Sequence, residues 1–133
     1  MTPSALQQPC PCGTGSTYDA CCGRLHRGAA QAVTALELMR SRYAAFVLGD
    51  TDHLFRSWHP RTRPDDLTPD TTRTWTRLEI LDVVDGGPDD DTGIVEFVAH
   101  YLRAGVPDAQ RERSRFERRA GRWVYRDAEE SAD

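Results

Sequence analysis

The sequence predicts an α+β protein: a small N-terminal cysteine knuckle, then a helix hairpin packed on a curved antiparallel sheet of about four strands. Three observations predict it. All four cysteines fall between Cys10 and Cys22. Apolar residues then recur at helical spacing between Thr34 and Trp58. From Thr74 onward the apolar period drops to two, as strands require. Helices first and strands after is the order of an α+β domain.

The knuckle comes first. Its spacing is C-x-C-x8-C-C, through Cys10, Cys12, Cys21 and Cys22. A disulfide between the adjacent Cys21 and Cys22 would need a strained ring, and no C-x-x-C redox pattern is present. Four soft ligands instead suit one tetrahedral Zn2+, a structural ion with no open position for water. Gly13 and Gly15 fit the tight turn that aims the first two sulfurs inward, Pro9 and Pro11 stiffen the approach, and a helical turn opening at Tyr18 and Asp19 delivers the second pair. His26, four residues after Cys22, is an alternative ligand, and the spacing leaves its contribution open.

Thr34 and Glu37 form a capping-box signature ahead of a helix. Leu36, Met39, Tyr43, Phe46 and Val47 give that helix an apolar stripe through residue 48. Gly49 ends it and Asp50 caps the next helix, whose buried side is Leu54, Phe55 and Trp58. Pro60 and Pro64 break the chain into a loop. Strands follow at 74–84, 93–103, 110–119 and 122–127, with "DGGPDDD", "AGVPDAQ" and "AG" as the connections. Residues 128–133, "AEESAD", read as an acidic tail. The expected organisation is therefore a knuckle at 1–29, the α+β domain at 30–127 and the tail.

Composition narrows the function classes. The chain has 133 residues and a net charge of −4, and its 17 basic residues are all arginine. No apolar run approaches the roughly 18 residues that span a bilayer, so no membrane role is expected. "MTPSALQQPCPC" has neither a basic start nor an apolar core, so no secretory signal is expected. A cytoplasmic setting with reduced thiols follows. The acidic balance, with no basic stripe interleaved with aromatics, argues against nucleic acid.

Alternation on the third strand places Glu112, Ser114 and Phe116 on an inner face and Arg111, Arg113, Arg115, Glu117 and Arg119 on an outer, solvated or partner-binding one. Trp123 shares one face of the last strand with Tyr125. With Tyr43, Trp58 and His59 from the helices, these form a candidate ligand pocket: Tyr43, Trp58, His59, Glu112, Ser114, Phe116 and Trp123. If the pocket is catalytic, His59 and Glu112 are the pair to nominate; otherwise His59 is a polar helix cap. Glu96 is expected to pair with an arginine on a neighbouring strand. Both faces of "VEFVAHYL" are largely apolar, which fits either a sheet covered on both sides or a homodimer interface. Arg63, between prolines, is either solvated or reaches across the pocket mouth.

The stretch "CPCGTGSTYDACCG" resembles the SEC-C motif, the small zinc-binding module found at the end of the SecA translocation ATPase and in otherwise unrelated bacterial proteins. Cys10, Cys12, Gly13, Gly15, Tyr18, Cys21 and Cys22 carry the match. "LHRG", "ALELMRSRYAAFVLGD", "WHPRTRP", "VEFVAHY", "SRF" and "GRWVY" extend it to the YchJ family, over nearly the whole chain. The resemblance implies a fold like nuclear transport factor 2, in which a bent sheet wraps helices around a conical pocket. It also implies that the SEC-C module mediates protein interactions, which makes a non-enzymatic adaptor or ligand-binding protein the favoured function. The alternative is an isomerase, dehydratase or hydrolase with an acid/base site in the cone. Longer members carry a second cysteine motif, absent after Cys22 here, and Ala128 stands where relatives often have glycine.

Overall fold

The computed structural model describes residues 7–68 and 70–129. The expected tail beyond Glu129 and the segment read for a secretory signal through Leu6 lie outside the described residues. The elements are α1 (Cys22–His26), α2 (Ala35–Leu48), α3 (Thr51–Arg56), β1 (Arg73–Asp85), β2 (Thr92–Arg103), β3 (Val106–Arg119) and β4 (Arg122–Glu129). The strands form one antiparallel sheet in the order β1-β2-β3-β4, an open meander with α2 laid across its inner face.

α2 starts where the capping box put it. Thr34 Oγ1 accepts from the Glu37 amide at 3.1 Å, and Glu37 Oε1 accepts from the Val33 amide at 3.1 Å. It ends at Gly49, whose φ of 74° is the left-handed conformation that glycine adopts without a Cβ clash. Asp50 Oδ1 then caps α3 by accepting from the His53 amide. This second helix is shorter than its apolar pattern suggests. It stops at Arg56, leaving Phe55 exposed beneath the Arg63 guanidinium, whose carbon lies 3.6 Å from the ring centre.

Trp58 is not helical. Residues 57–59 extend alongside β4 in a parallel bridge: the Tyr125 amide donates to the Ser57 carbonyl at 2.8 Å, and the His59 amide donates to the Tyr125 carbonyl at 2.7 Å.

The core lies between α2 and the sheet: Ala35, Leu38, Met39 and Tyr43 against Val95, Phe97, Ala99, Phe116 and Trp123. The start of α2 comes close to the β1–β2 turn, where the Ala35 amide donates to the Gly86 carbonyl at 2.9 Å.

Two strand boundaries differ from expectation. β3 begins at Val106, because Ala104 and Gly105, with φ of 51° and 79°, make a two-residue hairpin turn. Ala120 and Gly121, with φ of 50° and 77°, repeat it between β3 and β4. Pro107 is tolerated because Val106 and Arg103 close the hairpin; the next residue then turns its nitrogen away from β2, toward an edge β4 does not reach. β4 in turn runs through Ala128, opposite Ser114, to Glu129, opposite Arg113, so the first two residues of the expected tail belong to the sheet.

Candidate functional site

Two sites emerge, a sulfur cage and a cone-shaped cavity. In the cage, the Cys10 amide donates to the Ser16 carbonyl at 2.9 Å and the Tyr18 amide to the Gln8 carbonyl at 2.8 Å, closing the loop that presents Cys10 and Cys12. Tight turning then brings Cys21 and Cys22 to the start of α1. The four Sγ atoms lie within 4.8 Å of one another, with Cys12 and Cys21 at 3.6 Å. A tetrahedral site with metal–sulfur bonds of about 2.3 Å needs sulfur–sulfur edges of about 3.8 Å, so the four can hold one metal ion. All four are free thiols, and Cys10, Cys12 and Cys22 are buried. Hydrogen bonds from Cys10 and Cys22 hold Cys12 far below the ordinary thiol range, while the bond to Cys12 pushes Cys10 up to about 11 and Cys10 and Cys12 drive Cys22 upward. A divalent ion relieves this conflict among Cys10, Cys12 and Cys22.

His26 has other partners for both ring nitrogens. Its Nε2–H donates to the Ser41 carbonyl at 2.8 Å, and Nδ1 accepts from the Tyr18 hydroxyl at 2.6 Å. Ser41 Oγ in turn lies 2.9 Å from His53 Nε2. The cage is docked on α2 by more than this network: Ala44, fully buried, packs against Cys10, Cys12 and Cys22, and Arg40 Nη1 donates to the Cys12 carbonyl at 2.8 Å.

The cone is a cavity of about 400 Å³ between α2, α3 and the inner face of the sheet. Tyr43, Trp58, Glu112, Ser114 and Phe116 line it. His59 and Trp123 do not, which corrects two of the expected positions. Trp58 and His59 are neighbours on an extended segment, so they face opposite sides of the sheet. With Trp58 inside, His59 lies outside, its Nδ1 accepting from the Arg61 amide and its Nε2–H reaching Glu117 Oε1 at 2.7 Å. Trp123 points inward but lies beneath the start of α2, in the core, where its indole N–H donates to the Val33 carbonyl at 3.1 Å. The His59–Glu112 pair therefore does not form.

The polar floor is instead built from Glu112, Ser114, Tyr125 and Arg42. Ser114 Oγ donates to Glu112 Oε2. Burial, then the nearby Glu112 carboxylate, pushes Tyr125 up to about 12. Arg42 is buried, its guanidinium carbon 4.7 Å from the Trp58 ring centre and 4.6 Å from that of Tyr125. It donates to Ser57 Oγ at 2.7 Å and to the Leu54 carbonyl at 3.1 Å, and burial lowers it to about 10. Sequence reasoning missed Arg42, although its position carried a signal: it lies seven residues after Ala35 and three after Met39, on the buried stripe.

The outer face of the sheet is a charge lattice. Arg111 Nε donates to Glu96 at 2.7 Å, Arg113 bonds Asp82, Glu96 and Glu129, and Arg115 grips Asp127 with two bonds of 2.6 and 2.7 Å. A bulge that skips Arg126 allows the last pairing, keeping Tyr125 inward while Asp127 faces out. No helix among the described residues is long and apolar enough to cross a membrane.

Comparison with known proteins agrees with this architecture. Residues 34–128 match the family described as YchJ, middle NTF2-like domain, and residues 8–24 match the SEC-C motif. UPF0225 protein SCO1677 of Streptomyces coelicolor is 56% identical over 121 residues, 91% of this chain and 94% of that protein. UPF0225 protein Reut_A0143 of Cupriavidus pinatubonensis is 47% identical, over 96% of this chain and 92% of its own. Among solved structures, the solution structure of RPA3114, a SEC-C motif containing protein from Rhodopseudomonas palustris, superposes with a TM-score of 0.81 at 34% identity, covering 93% of this chain and 99% of that one. A SEC-C motif containing protein from Psychrobacter arcticus shares the fold with a TM-score of 0.78 at 24% identity, over 97% and 87% of the two chains.

Proposed function

This chain belongs to the YchJ (UPF0225) family, and from that premise we propose that it is a cytoplasmic, non-enzymatic adaptor: a zinc-filled SEC-C knuckle for protein contacts, fixed to a cone that holds a small, mostly apolar ligand. The observation that carries this reading is the make-up of the cone wall. Apolar and aromatic side chains make up most of it, with Asp66, Asp70, Arg73 and Gln110 also in the lining; its floor offers Glu112, Ser114 and Tyr125 to one polar group, and no histidine among the described residues lines it. A ligand with an apolar body and a hydrogen-bonding end fits that distribution.

Zinc is the ion this donor set favours, since four thiolates in a closed tetrahedral cage suit it and leave no site for water. The exposed turn at 13–17 of the knuckle is the better protein-docking surface. The Arg111–Arg119 face is a weaker candidate because Arg111, Arg113 and Arg115 are already neutralised by carboxylates.

A second reading, a small-molecule isomerase, dehydratase or hydrolase, draws on one observation: Glu112 lies in an apolar wall beside the Tyr125 hydroxyl, a setting suited to a general base. Native mass spectrometry of the reduced protein, mixed with a small-molecule extract, separates the two. One zinc plus an adduct recovered chemically unchanged supports the ligand-holding adaptor. An adduct converted to a product of different mass or isomeric form, with conversion abolished in Glu112→Gln, overturns it in favour of the enzyme.

A further inference from the structure

A second cavity, of about 160 Å³, lies on the other side of Trp58 from the cone. Its walls come from Leu25 of α1, the 30–32 connection, α3 and the β3–β4 turn. Four arginines line it, Arg56, Arg63, Arg119 and Arg122, and no carboxylate among the described residues does, although the chain carries a net charge of −4.

One feature of this cavity is unfavourable for the fold alone. Arg119 and Arg122 are direct cross-strand partners, and like charges facing each other in a sheet are destabilising. A small anion between them would neutralise the facing guanidiniums.

We propose that this cavity binds a dianionic oxyanion, either inorganic phosphate or the phosphate end of a small monoester, gripped by Arg119 and Arg122 at the rim. Arg56 and Arg63 complete the positive wall. Arg56 is partly committed to Asp52 and to the His26 carbonyl, and Arg63 to the Phe55 ring, so both are held in place rather than free to swing away. Planar guanidinium forks are the donors best matched to such an anion.

The test titrates inorganic phosphate into the metal-loaded full chain at constant ionic strength, following the indole N–H resonances of Trp58 and Trp123 by NMR. A saturable shift is expected. The double variant Arg119→Glu, Arg122→Glu should weaken it at least tenfold, while Arg77→Glu, on the exposed face of β1 away from the cavity, should leave it unchanged. Competition by glycerol phosphate would identify a monoester as an acceptable ligand, and its failure to compete would restrict the site to the free ion; either supports the oxyanion assignment. Absence of a saturable shift overturns it. So does weakening by Arg77→Glu to about half the double variant's effect on a logarithmic scale, the share of the charge change it carries, which would reduce the effect to net charge. Both variants are substituted at exposed positions, and their amide spectra report whether the fold is retained.

Discussion

His26 donates from Nε2 to the Ser41 carbonyl at 2.8 Å, joining the end of α1 to the middle of α2. Because His26 also accepts from Tyr18, the cage is tied to the helix hairpin through a buried polar chain rather than through a flexible linker. Substituting His26→Ala removes two hydrogen bonds and leaves a hole beside His53, whose ring centre is 4.6 Å away. A loss of about 2–4 kcal/mol is expected in chemical denaturation. Metal content should stay at one ion per chain; a fall toward zero would show that the imidazole is a ligand after all.

Emptying the cage should be felt beyond the knuckle. Cys12→Ser or Cys21→Ser is expected to release the metal and unfold the first ~25 residues, since such cages fold only when filled. The α+β domain keeps its own core and stays folded. Its melting temperature should nevertheless drop by roughly 10 °C, about 2–3 kcal/mol, because Ala44 and Ser41 lose their cover. Calorimetry of the wild type with and without a strong chelator measures this. An unchanged melting temperature would mean that the two parts are energetically independent.

Acid should destabilise the protein through His53. Burial, with smaller contributions from His26, Arg56 and Arg42, lowers its imidazole from 6.5 to about 3. Between these values the unfolded chain binds a proton that the folded one refuses, so stability falls as pH drops below about 6.5 and the loss levels off near 3. The slope is about 1.4 kcal/mol per pH unit for one proton. Denaturation midpoints from pH 7 to pH 4.5 should therefore fall less steeply in His53→Gln than in the wild type. Parallel curves would place the acid sensitivity elsewhere.

Gly93 should tolerate no side chain. A Cβ there would lie 2.5 Å from the Gly86 Cα and 3.1 Å from the Ala35 Cβ, backbone and helix that cannot both yield. Gly93→Ala is expected to cost about 3 kcal/mol or more, lifting α2 off the β1–β2 turn. Thermal melting read against Gly87→Ala, where φ is not left-handed and a Cβ would meet only the Asp90 carboxylate at 3.3 Å, separates this clash from a general loss of glycine.

Arg42→Lys should fail to replace arginine. A lysine can follow the same stem but cannot lie flat between Trp58 and Tyr125 while donating to Leu54 and Ser57. A loss of about 2–4 kcal/mol is expected, together with a change in Trp58 fluorescence. Full stability in Arg42→Lys would show that charge alone suffices.

The local parts of this fold were legible in the sequence, and the long-range parts were not. The cysteine spacing, the Thr34 cap, the Gly49 stop and the inward parity of Glu112, Ser114 and Phe116 depend on neighbours within a turn or a strand, so pattern reaches them. His59 was placed in the pocket because the bridge between Trp58 and Tyr125 leaves no mark near residue 58; only that bridge sets which of two adjacent side chains faces inward. The Ala-Gly turn at 104–105 was hidden by Pro107, which reads as a loop until the open edge of β3 is known. Arg42 was passed over because charge usually marks the solvent side of a helix. Its ring partners, Trp58 and Tyr125, come from segments remote in sequence.

The segment Ser57–His59 covers the outer rim of β4, and Thr62 extends the cover by donating to the Arg126 carbonyl, 64 residues along the chain. An uncovered strand rim is a template for pairing with other chains, so the protein closes its own aggregation-prone border with a piece of loop. Closing so long a loop costs chain entropy that only the assembled sheet repays, which makes this seal a late event in folding. Until it forms, β4 is exposed, and a folding intermediate can self-associate at that border.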